Sequence, residues 1–367
     1  MKKIVFGITS LSLGGAERVL VDICNSLKDK YDITIFTLYG EGEFETQLDK
    51  KVKIVNMYNT KRDELNKNTK LMLSAKLMNN SLRKKIYDKY FKDKYDVEVA
   101  FLEGPITWIM SEESNAKKIA WVHNDIEDVF GTGKKAEAKQ KINKECYSKY
   151  DELVFVSKDN ENKFKKYFAD NKVSKRVIYN YLDTSLVKEK ADKESAPEIK
   201  DDLTSFVQVS RLVDQKAVSR LIDVHKKLID DKLNHRIYIV GNGPLEDELR
   251  TKIKSLNLED TFILLGGKKN PYPYIKASDY FMLTSYYEGY PMVLLEARAL
   301  NKYILLTDSA AREALKEYDD SKIVENSEEG IYEGIKYILE NKPKVSKNNK
   351  DTNKDILKEI TNLIEGE

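Results

Sequence analysis

Two carboxylates, Glu288 and Glu296, stand in the segment Tyr287-Glu-Gly-Tyr-Pro-Met-Val-Leu-Leu-Glu-Ala-Arg298, and their neighbours describe a strand-to-helix junction. Asp279-Tyr-Phe-Met-Leu-Thr284 reads as a short buried strand. Pro291 suits the first position of a helix, whose free N–H groups favour anions. Glu288 then falls in the loop ahead of that helix, and Glu296 in its second turn among Met292, Val293, Leu294, Leu295 and Ala297. A carboxylate among apolar neighbours is costly unless donors satisfy it. A ribose diol offers Glu296 two hydroxyls, and a sugar ring offers Glu288 more. The pattern therefore points to a phosphate and sugar hydroxyls, against the plainer alternative of a helix capped by one Glu and ion-paired through the other.

Other residues have types and positions that suit the same chemistry. In Phe206-Val-Gln-Val-Ser210-Arg211-Leu-Val-Asp-Gln-Lys216, Arg211 leaves the C-terminal end of a strand and Lys216 opens the next helix. A planar fork and a compact charge so placed can converge on a diphosphate, or remain two solvated cations. Three glycine turns follow predicted strands. Ser12-Leu-Gly14-Gly15-Ala-Glu-Arg18 lets backbone amides approach a ligand, but it lacks both the dinucleotide fingerprint and the P-loop lysine. Ile239-Val-Gly241-Asn-Gly243-Pro244-Leu-Glu246 is a turn first and a ligand contact second, and Leu265-Gly266-Gly267-Lys268-Lys269 suits the edge of a nucleobase. His123, in Trp121-Val-His123-Asn124-Asp125, can donate to a sugar hydroxyl, shuttle a proton, or simply be a satisfied buried imidazole. Ser157-Lys158 holds the equivalent place after the next strand.

The elements that must position these groups alternate along the chain, as expected of parallel sheets with crossover helices. Strands are predicted near Lys3–Thr9, Asp32–Thr37, Val52–Val55, Val97–Leu102, Lys118–Val122, Glu152–Val156 and Lys175–Ile178, with helices beginning near Ala16, Asn66, Pro105, Lys135 and Asp159. Tyr181–Asp202 is charged, lacks a strong apolar period and reads as a linker. Strands resume near Ser205–Val209, Arg236–Val240, Thr261–Leu264, Asp279–Leu283, Tyr303–Leu306 and Lys322–Val324, with helices from Gln215, Pro244, Pro271, Pro291, Ala310 and Ser327. This is an α/β chain of two doubly wound halves, whose ligands should bind at the C-terminal ends of the strands in a cleft between the halves. A polar stretch then leads to Ile356–Ile364, an amphipathic segment that needs an apolar surface to cover.

Composition bounds the function. With 367 residues the chain can build two cores, and a net charge of +2 gives no bulk attraction to nucleic acid. Two cysteines, Cys24 and Cys146, fit a cytoplasmic protein that relies on packing. Met1-Lys-Lys-Ile-Val-Phe reads as a first strand rather than a secretory signal, and no run approaches the roughly 20 apolar residues that span a bilayer. Residues 61–94 hold eleven Lys/Arg against four Asp/Glu with apolar residues interleaved. That pattern fits peripheral contact with an anionic membrane, or equally an ordinary helix with a solvated basic face. No metal is indicated, since there is neither an Asp-x-Asp strand-end loop nor a His/Cys cluster, and no Gly-x-Ser-x-Gly nucleophile turn occurs.

Taken together, Gly14-Gly15, Trp121-Val-His123-Asn124, Ser210-Arg211 with Lys216, Gly241-Asn-Gly243-Pro244 and Glu288-Gly-Tyr-Pro-Met-Val-Leu-Leu-Glu296 resemble a family 4 retaining glycosyltransferase of group 1, with the GT-B fold. The resemblance implies two Rossmann-like domains facing across a cleft. Residues 1–182 would form the acceptor-binding domain, 183–345 the nucleotide-sugar-binding domain, and 346–367 a tail helix packing back on the first. It implies a metal-independent, cofactor-free transfer from a nucleotide-sugar, by family habit a UDP-sugar, with retention of configuration. Arg211 and Lys216 would bind the diphosphate, Glu296 the ribose and Glu288 the donor sugar. Gly14-Gly15 would close on the phosphate and His123 would contact the sugar, while Gly243, Gly289, Tyr290 and Met292 would complete the donor-binding set. Arg298, where an uncharged residue is usual, and Thr307-Asp308-Ser-Ala-Ala-Arg-Glu313, which lacks the usual glycines, depart from the pattern.

The expectation is a cytoplasmic enzyme at the inner face of the membrane that builds cell-surface polysaccharide, capsule or glycolipid on a glycan or lipid-linked acceptor. A sugar-nucleotide epimerase of the same fold and a non-catalytic transferase partner are the alternatives. A NAD-linked oxidoreductase is more distant, because Thr37-Leu38-Tyr39 offers no ribose acid after the second strand.

Overall fold

The computed structural model describes residues 1–61, 64–65, 76–124, 134–346 and 353–367. The chain divides into two compact units, Met1–Tyr181 with Lys354–Glu367, and Leu182–Asn353.

The first unit is a parallel sheet in the order β3-β2-β1-β4-β5-β6-β7. Its strands are β1 (Lys3–Ile8), β2 (Asp32–Tyr39), β3 (Lys53–Tyr58), β4 (Val97–Ala100), β5 (Lys117–Val122), β6 (Glu152–Phe155) and β7 (Ser174–Val177). The central strand β1 buries Ile4, Val5, Phe6 and Ile8, as a strand covered on both faces must. Helices α1 (Gly15–Leu27), α2 (Asn80–Tyr90), α3 (Pro105–Ile109), α4 (Lys134–Tyr147) and α5 (Lys158–Tyr167) connect them. The helix expected from Asn66 lies outside the described residues, and the basic stretch resumes with α2, capped by the Asn79 side chain.

The tail belongs to this unit. Helix α12 (Asn353–Glu365) buries the stripe Ile356, Ile360, Leu363 and Ile364. Its end is held by Lys2 and by the Tyr31 hydroxyl, 2.7 and 2.6 Å from the Glu365 carboxylate. Lys117 Nζ donates to Leu363 O at 2.5 Å, so two cations meet the negative end of the helix.

The second unit is a parallel sheet in the order β10-β9-β8-β11-β12-β13. Its strands are β8 (Ser205–Val209), β9 (Arg236–Val240), β10 (Phe262–Gly266), β11 (Tyr280–Leu283), β12 (Tyr303–Thr307) and β13 (Ser321–Val324). Helices α7 (Val218–Asp230) and α11 (Glu328–Asn341) pack on one core cluster with Phe206, Ile237, Ile239, Met282 and Leu305.

Several expectations need correction here. The segment read as a linker contains α6 (Thr184–Lys193), capped by Asp183 and burying Val187 and Ala191 one turn apart. Two buried apolar residues in a ten-residue helix of which half is charged make no visible period, yet they suffice against the neighbouring α9 (Tyr272–Ala277). Lys216 does not open a helix. It ends a 3₁₀ turn, Asp214–Lys216, and Ala217 in the left-handed region (φ 51°) separates it from α7. The helices after Pro244, Pro271 and Pro291 begin at Glu246 (α8, Glu246–Ser255), Tyr272 (α9) and Met292 (α10, Met292–Ala299), so Pro271 and Pro291 are caps rather than first helical residues. Ala310–Leu315 forms 3₁₀ rather than α-helix.

Candidate functional site

In the second unit the strand order reverses between β8 and β11, and a doubly wound sheet opens its binding crevice outside the C-terminal ends of two such strands. The residues leaving these two strands are Ser210–Lys216 and Thr284–Glu288. Lys216 Nζ lies 2.5 Å from Glu288 Oε1, which also accepts from Ser285 Oγ at 2.6 Å. The side chains of the pair retain 15% and 7% exposure, so their attraction acts with little screening by solvent. Arg211 is exposed at the end of β8 and makes no side-chain hydrogen bond or ion pair among the described residues. The structure thus brings Lys216 and Glu288 together and leaves Arg211 outside that contact.

Gln208 stitches the two strand ends together. β11 pairs with β8 through Tyr280–Phe206 and Phe281–Val207. Beyond that register the fully buried Gln208 takes over. Its Oε1 accepts from Thr284 N and Oγ1, both at 3.1 Å, and its Nε2 donates to Ser210 Oγ at 3.2 Å and to Lys216 O at 3.4 Å. Tyr286 N donates to Gln215 O at 2.9 Å and Gln215 Nε2 to Tyr287 O at 3.0 Å, joining the two loops directly. Gln208 is not among the site residues expected from the sequence. Its signal was a lone amide inside an apolar strand, which must find partners when buried.

Glu296, half-buried on α10, accepts from the hydroxyl of buried Tyr272 at 3.0 Å. Met292 is the buried first residue of that helix. A Cβ on Gly289 would meet nothing within 4 Å, whereas one on Gly241 or Gly243 would come within 1.9 Å of Ser210 O or 2.4 Å of Leu212 O. Gly241, at φ 150°, and Gly243 are thus required by the close approach of the backbone that carries Arg211. Tyr290 is half-buried beside Glu288 in sequence. Lys268 is taken up by Glu198, at 2.9 Å.

In the first unit, His123 follows β5, and burial lowers its pKa to about 3, so the ring is neutral near neutral pH. Its Nε2 has no hydrogen-bond partner among the described residues, which suits a neutral donor or acceptor rather than a cation. The turn is set by Glu103, which the sequence analysis did not single out. One of its oxygens accepts from His123 N and, at 2.6 Å, from Asn124 N, and the other accepts from Asn124 Nδ2 at 2.9 Å. Burial pushes the Glu103 carboxyl up, and these donors oppose the shift. Gly14 caps α1 and Gly15 begins it. The Glu17 carboxylate lies over Gly14, close enough that an added Cβ would sit 2.1 Å from Oε2, so the chain's own acid faces this helix start.

Among the described residues, no group of three or more His, Cys, Asp or Glu side chains is placed to hold a metal ion, and no helix is long and apolar enough to cross a membrane.

Residues 189–355 match the family model for glycosyl transferases group 1. The chain is 26% identical over 347 residues to the N-acetylgalactosamine-N,N'-diacetylbacillosaminyl-diphospho-undecaprenol 4-alpha-N-acetylgalactosaminyltransferase of Campylobacter jejuni, covering 93% of this chain and 91% of that protein. It is 33% identical over 110 residues, 29% of this chain and 28% of the relative, to the Escherichia coli UDP-Gal:alpha-D-GlcNAc-diphosphoundecaprenol alpha-1,3-galactosyltransferase. The crystal structure of Anabaena HepE in complex with UDP superimposes with a TM-score of 0.73 at 18% identity, covering 100% of both chains. That likeness is one of fold.

Proposed function

We propose, from the premise that residues 189–355 are a group 1 glycosyl transferase domain in a chain of the GT-B fold, that the protein is a family 4 retaining enzyme. It moves a sugar from a UDP-sugar to a lipid-linked or glycan acceptor in cell-surface polysaccharide synthesis. The single observation that carries the reading is the Lys216–Glu288 pair at the switch point of the second sheet. A cation and a sugar-orienting carboxylate held together there supply two of the functions that glycosyl transfer needs.

In this mechanism the bond from the anomeric carbon to the diphosphate oxygen breaks with its electron pair leaving on the diphosphate. Lys216, Arg211 and the N–H groups at the start of α10 absorb that charge, so no divalent ion or other cofactor is assigned. Glu288 orients the donor sugar and supports the anomeric centre, and Glu296, anchored by Tyr272, holds the ribose. The acceptor oxygen forms its bond on the face the diphosphate leaves, and its proton passes to a phosphate oxygen, so no protein base is required. By the family resemblance alone, His123, as a neutral ring, is assigned to the donor sugar and the backbone at Gly14-Gly15 to the phosphate. Gly243, Gly289, Tyr290 and Met292 line the donor.

The lipid-linked acceptor is supported by the diphospho-undecaprenol substrates named for the Campylobacter and Escherichia relatives. It fits a cytoplasmic enzyme resting on the inner face of the membrane through residues 61–94, where Lys84, Lys85 and Lys89 are exposed on α2. Isothermal titration with UDP, followed by a panel of UDP- and GDP-sugars with and without a polyprenyl-diphosphate-sugar acceptor, tests the reading. Acceptor-dependent transfer with UDP-sugars is expected. Interconversion of two UDP-sugars without any acceptor, or no nucleotide binding at all, would overturn it.

A further inference from the structure

We propose that Arg220 and Asn326 are positioning residues that hold the Thr284–Glu288 loop so that Glu288 reaches Lys216. The inference rests on the glycosyl-transfer reading of that loop.

Four successive carbonyls lead into Glu288, and each accepts from a side chain. Thr284 O accepts from Arg220 Nη2 at 2.7 Å. Ser285 O accepts from Asn326 Nδ2 at 3.2 Å and from Thr307 Oγ1 at 2.9 Å. Tyr286 O accepts from Asn326 Nδ2 at 2.7 Å, and Tyr287 O from Gln215 Nε2 at 3.0 Å. Asn326 also reaches Asp308 O at 3.3 Å, which ties the loop after β11 to the end of β12.

The two positioning side chains are coupled. Arg220 Nη2 donates to Asn326 Oδ1 at 2.8 Å, and the guanidinium lies 4.4 Å from the centre of the Tyr286 ring. Arg220 is buried, yet no carboxylate stands within ion-pair distance of it among the described residues. A buried cation is ordinarily paired with an acid. This one instead meets two carbonyl oxygens, an amide and an aromatic face, all on the loop or on Asn326. Its planar fork satisfies Thr284 O and Asn326 together, which an ammonium group cannot reproduce. The loop has no regular secondary structure between β11 and α10, so these bonds decide where Glu288 stands. Groups fixed before the reaction stabilise developing charge without reorganising, which is what this bracing provides.

The test uses the full chain, wild type and the variants Asn326→Ala, Arg220→Ala and Arg220→Lys. The measurements are UDP affinity, donor kinetics, thermal midpoint and hydrogen exchange at the Tyr286 amide. For Asn326→Ala, UDP affinity is expected to stay within about threefold while kcat falls about tenfold, the pattern of a lost transition-state arrangement rather than lost binding. Arg220→Lys should not rescue Arg220→Ala, and the Tyr286 amide should lose protection in all three variants. Unchanged kcat with intact UDP binding would overturn the proposal, as would a loss of kcat only in step with a loss of thermal midpoint. Should wild type bind no UDP and turn over no donor, the transfer reading fails. The exchange measurement then still decides whether Arg220 and Asn326 hold the loop, and unchanged protection at Tyr286 overturns that too.

Discussion

Lys216 and Glu288 lie 72 positions apart in the chain, and their side chains meet at 2.5 Å. The contact joins the turn after β8 to the loop after β11, so one ion pair links the two strand ends that flank the reversal of the sheet.

Removing either cation of the proposed diphosphate site should cost turnover. Lys216→Ala and Arg211→Ala are each expected to lower kcat by at least about tenfold, on the scale of lost charge stabilisation in the transition state. Lys216→Ala should be the more severe, because it also deprives Glu288 of its partner. Near-normal rates in both variants would contradict the assigned roles, and steady-state kinetics with the preferred donor decides.

Chelation tests the charge balance from the other side. With Lys216, Arg211 and helix N–H groups absorbing the leaving-group charge, turnover after exhaustive EDTA treatment should equal that of untreated enzyme. A loss of rate restored by Mg²⁺ or Mn²⁺ would show that a divalent ion shares the work.

Acid should weaken the second unit through a buried histidine pair. His235 Nδ1 donates to Leu233 O at 2.7 Å, which makes its Nε2 an acceptor for His225 Nδ1 at 2.9 Å and leaves His225 Nε2 to accept from Thr261 Oγ1 at 2.9 Å. Burial lowers the two pKa values to about 2 for His225 and about 4 for His235. The unfolded rings titrate near 6.5, so below that pH the unfolded chain binds more protons and folding stability must fall. The stability is fully present above about pH 6.5 and declines toward pH 4 by up to about 1.4 kcal/mol per pH unit for each ring. Urea midpoints between pH 8 and 5 should show this fall, and a His225→Gln, His235→Gln double variant should flatten it between pH 6.5 and 5.

The tail helix should contribute through packing more than through its terminal ion pair. Ile360 is fully buried on α12, so Ile360→Ala is expected to destabilise the first unit by roughly 2–4 kcal/mol. Glu365→Gln, about a third exposed, should leave the midpoint nearly unchanged. Denaturant unfolding followed by a probe in the first unit measures both, and the reverse order of effects would refute the packing argument.

Membrane contact through residues 61–94 should depend on charge. Flotation with anionic vesicles is expected to recover the protein at low salt, to fail at high salt, and to weaken in a Lys84→Ala, Lys85→Ala, Lys89→Ala variant. Absence from the vesicles at every salt concentration would remove the membrane claim.

Much of this architecture was legible in the chain because its signals are local. Alternating apolar runs and helical patterns announce parallel strands and crossovers, glycines mark the turns at Gly241 and Gly243, and the paired acids at Glu288 and Glu296 stand in one continuous segment. Where a signal was weak the reading failed: α6 shows only Val187 and Ala191 as an apolar face, and Lys216 looked helical because nothing local reveals that Ala217 adopts a left-handed conformation.

The sequence by itself determined which residue types stand at the ends of which strands, since strand and turn propensities act over a few neighbours. Only the tertiary structure decided that Lys216 faces Glu288, that Gln208 extends the pairing of β8 with β11, and that Arg220 and Asn326 brace the loop between them. Those partnerships follow from strand order. Laying β11 beside β8 brings together groups more than sixty residues apart, and no local propensity encodes which side chain will complete the hydrogen bonds that the carbonyls of an irregular loop require.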